Sequence, residues 1–107
     1  MKIKDGASLI GLKLPMRKVL IIADELWKDA GKELVVTEGT GGTHSAGSLH
    51  PFGYAVDLRS RYFDTSTQRD VASALRLRLG PDYDVVVHKT HVHVEYQKIL
   101  EMESVGC

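Results

Sequence analysis

Cysteine is almost missing from this 107-residue chain: there is one, and it is the last residue, Cys107. A lone cysteine cannot close an intramolecular disulfide, so nothing in the thiol chemistry calls for an oxidising compartment. At a chain terminus it is also poorly placed to be a rigidly held nucleophile. An excess of charge of either sign is missing too, because Lys plus Arg and Asp plus Glu both number 14. That balance removes the electrostatic basis for a nucleic acid or an anionic membrane as partner. No apolar run approaches the roughly 18 residues of a membrane helix. The opening MKIKDGASLIGLKL lacks the apolar core and small-residue cleavage site of a secretory leader, so synthesis in the cytoplasm without a signal peptide is expected. Histidine is the most unevenly spread residue. None of the five precedes His44, and His44, His50, His88, His91 and His93 all fall in one long loop or in the last pair of extended segments.

What remains is ordinary for a globular chain, 43% hydrophobic and 26% charged, and its length suits one domain over residues 1–107 with one modest core. Pro15 suits the first turn of a helix in which Met16, Val19, Leu20, Ala23, Trp27 and Ala30 recur at helical spacing, with Gly31 as its stop. ELVVTE (33–38) reads as a short strand. GTGGTHSAGSLHPF (39–52) has neither period and is long for a loop inside a compact domain, a length associated with function. GYAVDLRS (53–60) alternates like a strand. Thr65 to Leu79 reads as a second helix, with the capping-box pattern Thr65-Ser66-Thr67-Gln68 at its start and Gly80-Pro81 at its end. YDVVVH (83–88) and HVHVEY (91–96) read as strands joined at Lys89-Thr90, a turn without the glycine of the favoured hairpin types, and a helical tail is expected from Gln97. The order implies an α+β domain: a small antiparallel sheet with two main helices.

The chemistry concentrates in two places. Alternation in HVHVEY puts His91, His93 and Glu95 on one face and Val92, Val94 and Tyr96 on the other. Imidazoles two apart on a strand can both ligate one metal ion, or one can ligate while the other reaches a water at the metal. The second place is SLHPFGYAVDLR (48–59), a loop histidine, a glycine, then a strand whose Ala55, Asp57 and Arg59 share a face. Together they offer histidines and one carboxylate, the ligand types of a catalytic zinc centre with an open position rather than of a cysteine-rich structural site.

The string SxHxxGxAxD (Ser48 to Asp57), followed by the late HxH, resembles the zinc D-Ala-D-Ala peptidases and the wider group that joins them to lysostaphin, the penicillin-insensitive murein endopeptidase and the Hedgehog signalling domain. VVTEGTGGTHSAGS is similar to the strand and loop that lead into this motif in phage and bacterial members, and the likeness covers most of residues 33–96. It implies a zinc site on one sheet face with one ion held by His50, Asp57 and His93. It also implies a catalytic role for His91, and a substrate among the peptide bonds of bacterial cell-wall stem peptides or cross-links. Two positions depart from the pattern. Thr90 stands where many D-Ala-D-Ala peptidases carry an acidic general base, although His88-x-x-His91-x-His93 is similar to the histidine run of the murein endopeptidases. No arginine occurs in Thr37-Glu38-Gly39-Thr40, where many members carry one for the substrate, which leaves Arg59 or Arg61 as substitutes.

The expected activity is therefore metal-assisted hydrolysis of the phage or prophage lysis type. His91, or else His88, takes a proton from water and returns it to the leaving amine. Ser48 and Arg59 are the expected substrate contacts. The expected partner is a peptidoglycan peptide, with no nucleic acid and no membrane. The chain is expected to be a monomer acting on the wall after release or as a virion component. The alternative is an inactive zinc-containing wall-binding or virion module. Non-haem iron is a further alternative metal, although its sites usually place the first histidine and the carboxylate closer in sequence.

Overall fold

The computed structural model describes residues 1–41 and 49–98. The first helix, α1 (Leu14–Asp29), buries Met16, Val19, Leu20, Ile22, Ala23 and Trp27, the stripe expected from its spacing with two changes. Ile22 joins the core, and Ala30 is the exposed C-terminal cap rather than part of the stripe. The helix begins one residue before Pro15, whose missing N–H is harmless within the first turn. The second helix, α2 (Thr65–Leu79), has the expected bounds and buries Val71, Ala72, Leu75 and Leu79. Its start differs from the expected capping box. Asp64, one residue earlier, is the cap, and its carboxylate accepts from Thr67 N–H at 2.7 Å. Gln68 instead donates to the carbonyls of Ser60 and Phe63, tying the helix start to the turn that precedes it.

Five strands form one sheet: β1 (Lys2–Ile3), β2 (Val35–Glu38), β3 (Ala55–Arg59), β4 (Tyr83–Val87) and β5 (His91–Tyr96), in the order β1-β2-β3-β5-β4. The sheet is mixed, which corrects the antiparallel expectation. β1 runs parallel to β2, while the other pairs are antiparallel. Two exposed residues carry no periodicity, so β1 has no sequence signature. It exists through backbone bonds from Lys2 N–H to Leu34 and from Lys4 N–H to Val36. At the other edge, His88 N–H donates to the His91 carbonyl across Lys89-Thr90. Among the described residues no non-glycine residue has a positive φ, which excludes the type I′ and II′ turns for this hairpin.

Both helices cover one face of the sheet, where Val36, Val56, Leu58, Val85, Val92 and Val94 join their apolar stripes in a single core. Trp27, fully buried, locks α1 to the sheet. Its Nε1–H donates to the Arg59 carbonyl at 2.8 Å, and its ring meets Phe63 edge-on. Alternation sends the intervening residues of β3 and β5 to the opposite face. No described helix is long and apolar enough to cross a membrane.

Candidate metal centre

The face away from the helices gathers the chemistry. Ala55, Asp57 and Arg59 of β3 stand directly opposite Glu95, His93 and His91 of β5. His50 approaches from the loop side, on a short 3₁₀ turn (His50–Phe52) closed by Gly53, whose φ of 81° lies in the left-handed region glycine tolerates. His50, Asp57 and His93 can hold a metal ion between them. Their ligand atoms lie within 4.8 Å of one another, with His50 Nε2 3.4 Å and His93 Nδ1 2.7 Å from Asp57 Oδ1. Two ligands of one tetrahedral zinc ion at bonds of about 2.1 Å lie about 3.4 Å apart, so the His50–Asp57 spacing already fits, the His93–Asp57 pair would part slightly, and any wider spacing in the set would close. The His50 and His93 rings meet edge-to-face at 5.1 Å, and each brings one ring nitrogen to Asp57 Oδ1. His50 and Asp57 are 5% and 6% exposed, a burial that unpaired charge would not tolerate.

The electrostatics are those of one shared interaction. Burial works against the Asp57 charge, but hydrogen bonds from His50, His93 and the Glu38 carboxyl outweigh it and hold Asp57 well below the usual carboxylate range. The same Asp57 bond pushes His93 up to about 9. Burial opposes that rise, and Glu95, 2.8 Å from His93 Nε2, adds to it. Without metal, His93 is therefore an imidazolium held between two carboxylates. Glu95 is itself fixed by Gln97 Nε2 at 3.2 Å.

His91 adjoins the cluster, with Nε2 3.8 Å from Asp57 Oδ2 and Nδ1 3.1 Å from the Thr90 hydroxyl. Burial is the largest influence and lowers its pKa, the Asp57 charge pulls the other way without cancelling it, and the neighbouring imidazoles lower it further. His88 is exposed at the hairpin end and stacks against the His91 ring at a centroid distance of 4.8 Å, in a cleft shared with Thr65, Gln68, Arg69, Val87 and Lys89. Arg59 is partly buried across the sheet from His91, with its charge in reach of Tyr62. Ser48 and His44, like the tail beyond Lys98, lie outside the described residues.

Two parts of the site have no counterpart among the expected residues. Glu38 is one, brought beside Asp57 by a bulge in β2. Val36 pairs with Leu58 and Glu38 with Asp57, so two steps along β2 match one along β3. Simple alternation would put Glu38 on the core face with Val36, and the extra residue, Thr37, turns it to the site face. The other is the Gly39 carbonyl, 2.9 Å from His50 Nδ1. No protein-family model matches the chain, and no curated protein matches it.

Proposed function

We propose that the protein is a zinc metallopeptidase that hydrolyses peptide bonds in bacterial peptidoglycan, in stem peptides or their cross-links. The observation that carries this reading is the position of His91. A half-buried imidazole whose neutral form is favoured lies beside a metal-binding set of two histidines and a carboxylate. The likeness of Ser48-x-His50-x-x-Gly53-x-Ala55-x-Asp57 and of His91-x-His93 to the D-Ala-D-Ala peptidase group supplies the substrate class.

His50, Asp57 and His93 would hold the zinc ion, which would supply Lewis acidity toward the scissile carbonyl and lower the pKa of a water. His91 then acts as the proton carrier. Its Nε2 faces the cluster, its Nδ1 is held by Thr90, and its lowered pKa leaves the ring free to accept a proton at neutral pH. The protonated ring delivers that proton to the amine of the departing peptide. His88, lying against the His91 ring, limits the swing of the base. Glu38 and Glu95, each hydrogen-bonded to a ligand residue, fix the orientation of Asp57 and His93, the role that partners of metal ligands usually play. Ser48 and Arg59 remain the proposed substrate contacts.

A zinc-holding wall-binding or virion module without turnover is the second reading, favoured by Thr90 standing where many of the resembled peptidases carry an acid. Digestion of purified sacculi with and without added zinc, followed by mass analysis and by counting new amino termini, separates the two. Zinc-dependent release of fragments cut in the peptide moiety is expected. Intact sacculi that nonetheless retain the zinc-loaded protein would favour the binding module.

A further inference from the structure

We propose that the segment Ser8–Lys13 is a positioning strap for the metal centre, and that it acts by fixing the Gly39 carbonyl against His50. This inference rests on the reading of His50 as a ligand. A carbonyl oxygen can only accept, so the 2.9 Å contact requires His50 Nδ1 to carry hydrogen. The nitrogen directed at Asp57 is then Nε2, at 3.4 Å. Ring orientation and the choice of ligating nitrogen are thus set by where one backbone carbonyl stands.

That carbonyl is held by the strap. Gly39 lies so close to Ser8 that a Cβ added to it would sit 2.1 Å from the Ser8 carbonyl oxygen and 3.0 Å from a Leu9 methyl. The next residue, Thr40, donates its N–H to the Ser8 carbonyl at 2.7 Å and its hydroxyl to the Ile10 carbonyl at 2.6 Å. Ser8 Oγ accepts from Ile10 N–H, which fixes the bend of the strap itself. The far end of the same segment grips the turn that carries His50. Lys13 N–H donates to the Gly53 carbonyl at 3.0 Å, and Gly53 N–H donates to the His50 carbonyl at 3.0 Å. A Cβ at Gly53 would lie 2.3 Å from the Gly11 carbonyl oxygen. One short segment therefore contacts both the acceptor of the His50 ring and the turn bearing its backbone. It continues directly into α1, which Trp27 bonds to the strand of Asp57. The loop ligand and the sheet ligand share one frame through it.

The test compares wild type, Gly39→Ala, Thr40→Val and Thr40→Ser in two readouts that general folding does not move in concert. One is zinc affinity by competition with a chromophoric chelator. The other is the His50 Nδ1–H signal in long-range proton–nitrogen NMR spectra. The expected result is a protected Nδ1–H in wild type and Thr40→Ser. In Gly39→Ala and Thr40→Val that signal is lost and zinc binding is about 10–100-fold weaker. If Gly39→Ala does not fold, the Thr40 pair decides alone. Zinc affinity within twofold of wild type together with an unchanged His50 signal in Thr40→Val would overturn the strap. Failure of wild type to bind zinc would instead remove the metal-centre reading, and the NMR comparison would still decide whether the strap holds the ring.

Discussion

Asp57 and His93 face each other directly across β3 and β5, with Oδ1 of one 2.7 Å from Nδ1 of the other. In metal-free protein this pair makes stability depend on pH. His93 rises from 6.5 to about 9 on folding, so its contribution is complete below pH 6.5 and is lost as pH climbs through 9. Asp57 is shifted the other way, so its contribution holds at neutral pH and fades only as acid protonates it. A shift of this size on a mostly buried ring corresponds to at most about 3 kcal/mol, counted once for the pair. Chelator-treated protein should therefore unfold at lower denaturant at pH 9.5 than at pH 6.5. In Asp57→Asn the decline should flatten, and the His93 titration followed by NMR should move back toward 6.5. A wild-type His93 that titrates near 6.5 would contradict this.

Metal binding should release protons. A histidine ligand must offer a lone pair, whereas metal-free His93 at neutral pH carries hydrogen on both ring nitrogens, one toward Asp57 and one toward Glu95. Calorimetric zinc titrations at pH 7.5 in buffers of different ionisation enthalpy should give at least one proton released per ion. The same heat in every buffer would mean that His93 is not the ligand.

His91→Ala should keep zinc and lose hydrolysis by about 10²–10⁴-fold, the usual effect of removing a general base. Near wild-type cleavage of sacculi would return the proton-carrying role to another group, with His88 next in line.

Ser60 is fully buried, and its hydroxyl has no hydrogen-bond partner among the described residues. Its backbone is engaged, accepting from Gln68 and donating to the Thr90 carbonyl. Removing an unsatisfied buried hydroxyl recovers part of its desolvation cost, so Ser60→Ala should be neutral or more stable by about 1 kcal/mol in urea unfolding. A loss of more than about 1 kcal/mol would show that the hydroxyl has a partner after all.

How far the sequence foretold the molecule depends on how local each signal is. α2 and β5 have the bounds their periodicity implies, because apolar spacing of one helix turn or of alternate residues is written in adjacent positions. The division of HVHVEY into a core face and a site face follows from the same alternation. β1 was not legible, because two exposed residues pair only through their backbone. The capping box named the wrong cap for α2 because Asp64 competes with Thr65 for that position, and an ionised carboxylate is the stronger acceptor there. Glu38 was hidden by the bulge at Thr37, which reverses the face that alternation assigns. The Gly39 carbonyl had no side-chain signal at all, and only the approach of Ser8 makes a glycine necessary there.

The most direct measurement is the metal content of protein purified without chelators, read by mass spectrometry beside His50→Ala, Asp57→Ala and His93→Ala. One zinc ion per chain is expected in wild type, falling to a small fraction of that in each variant, with His91→Ala retaining the ion. A wild-type chain that neither carries nor takes up zinc, or triple substitution of His50, Asp57 and His93 that leaves the zinc in place, would contradict a metal centre at these three residues.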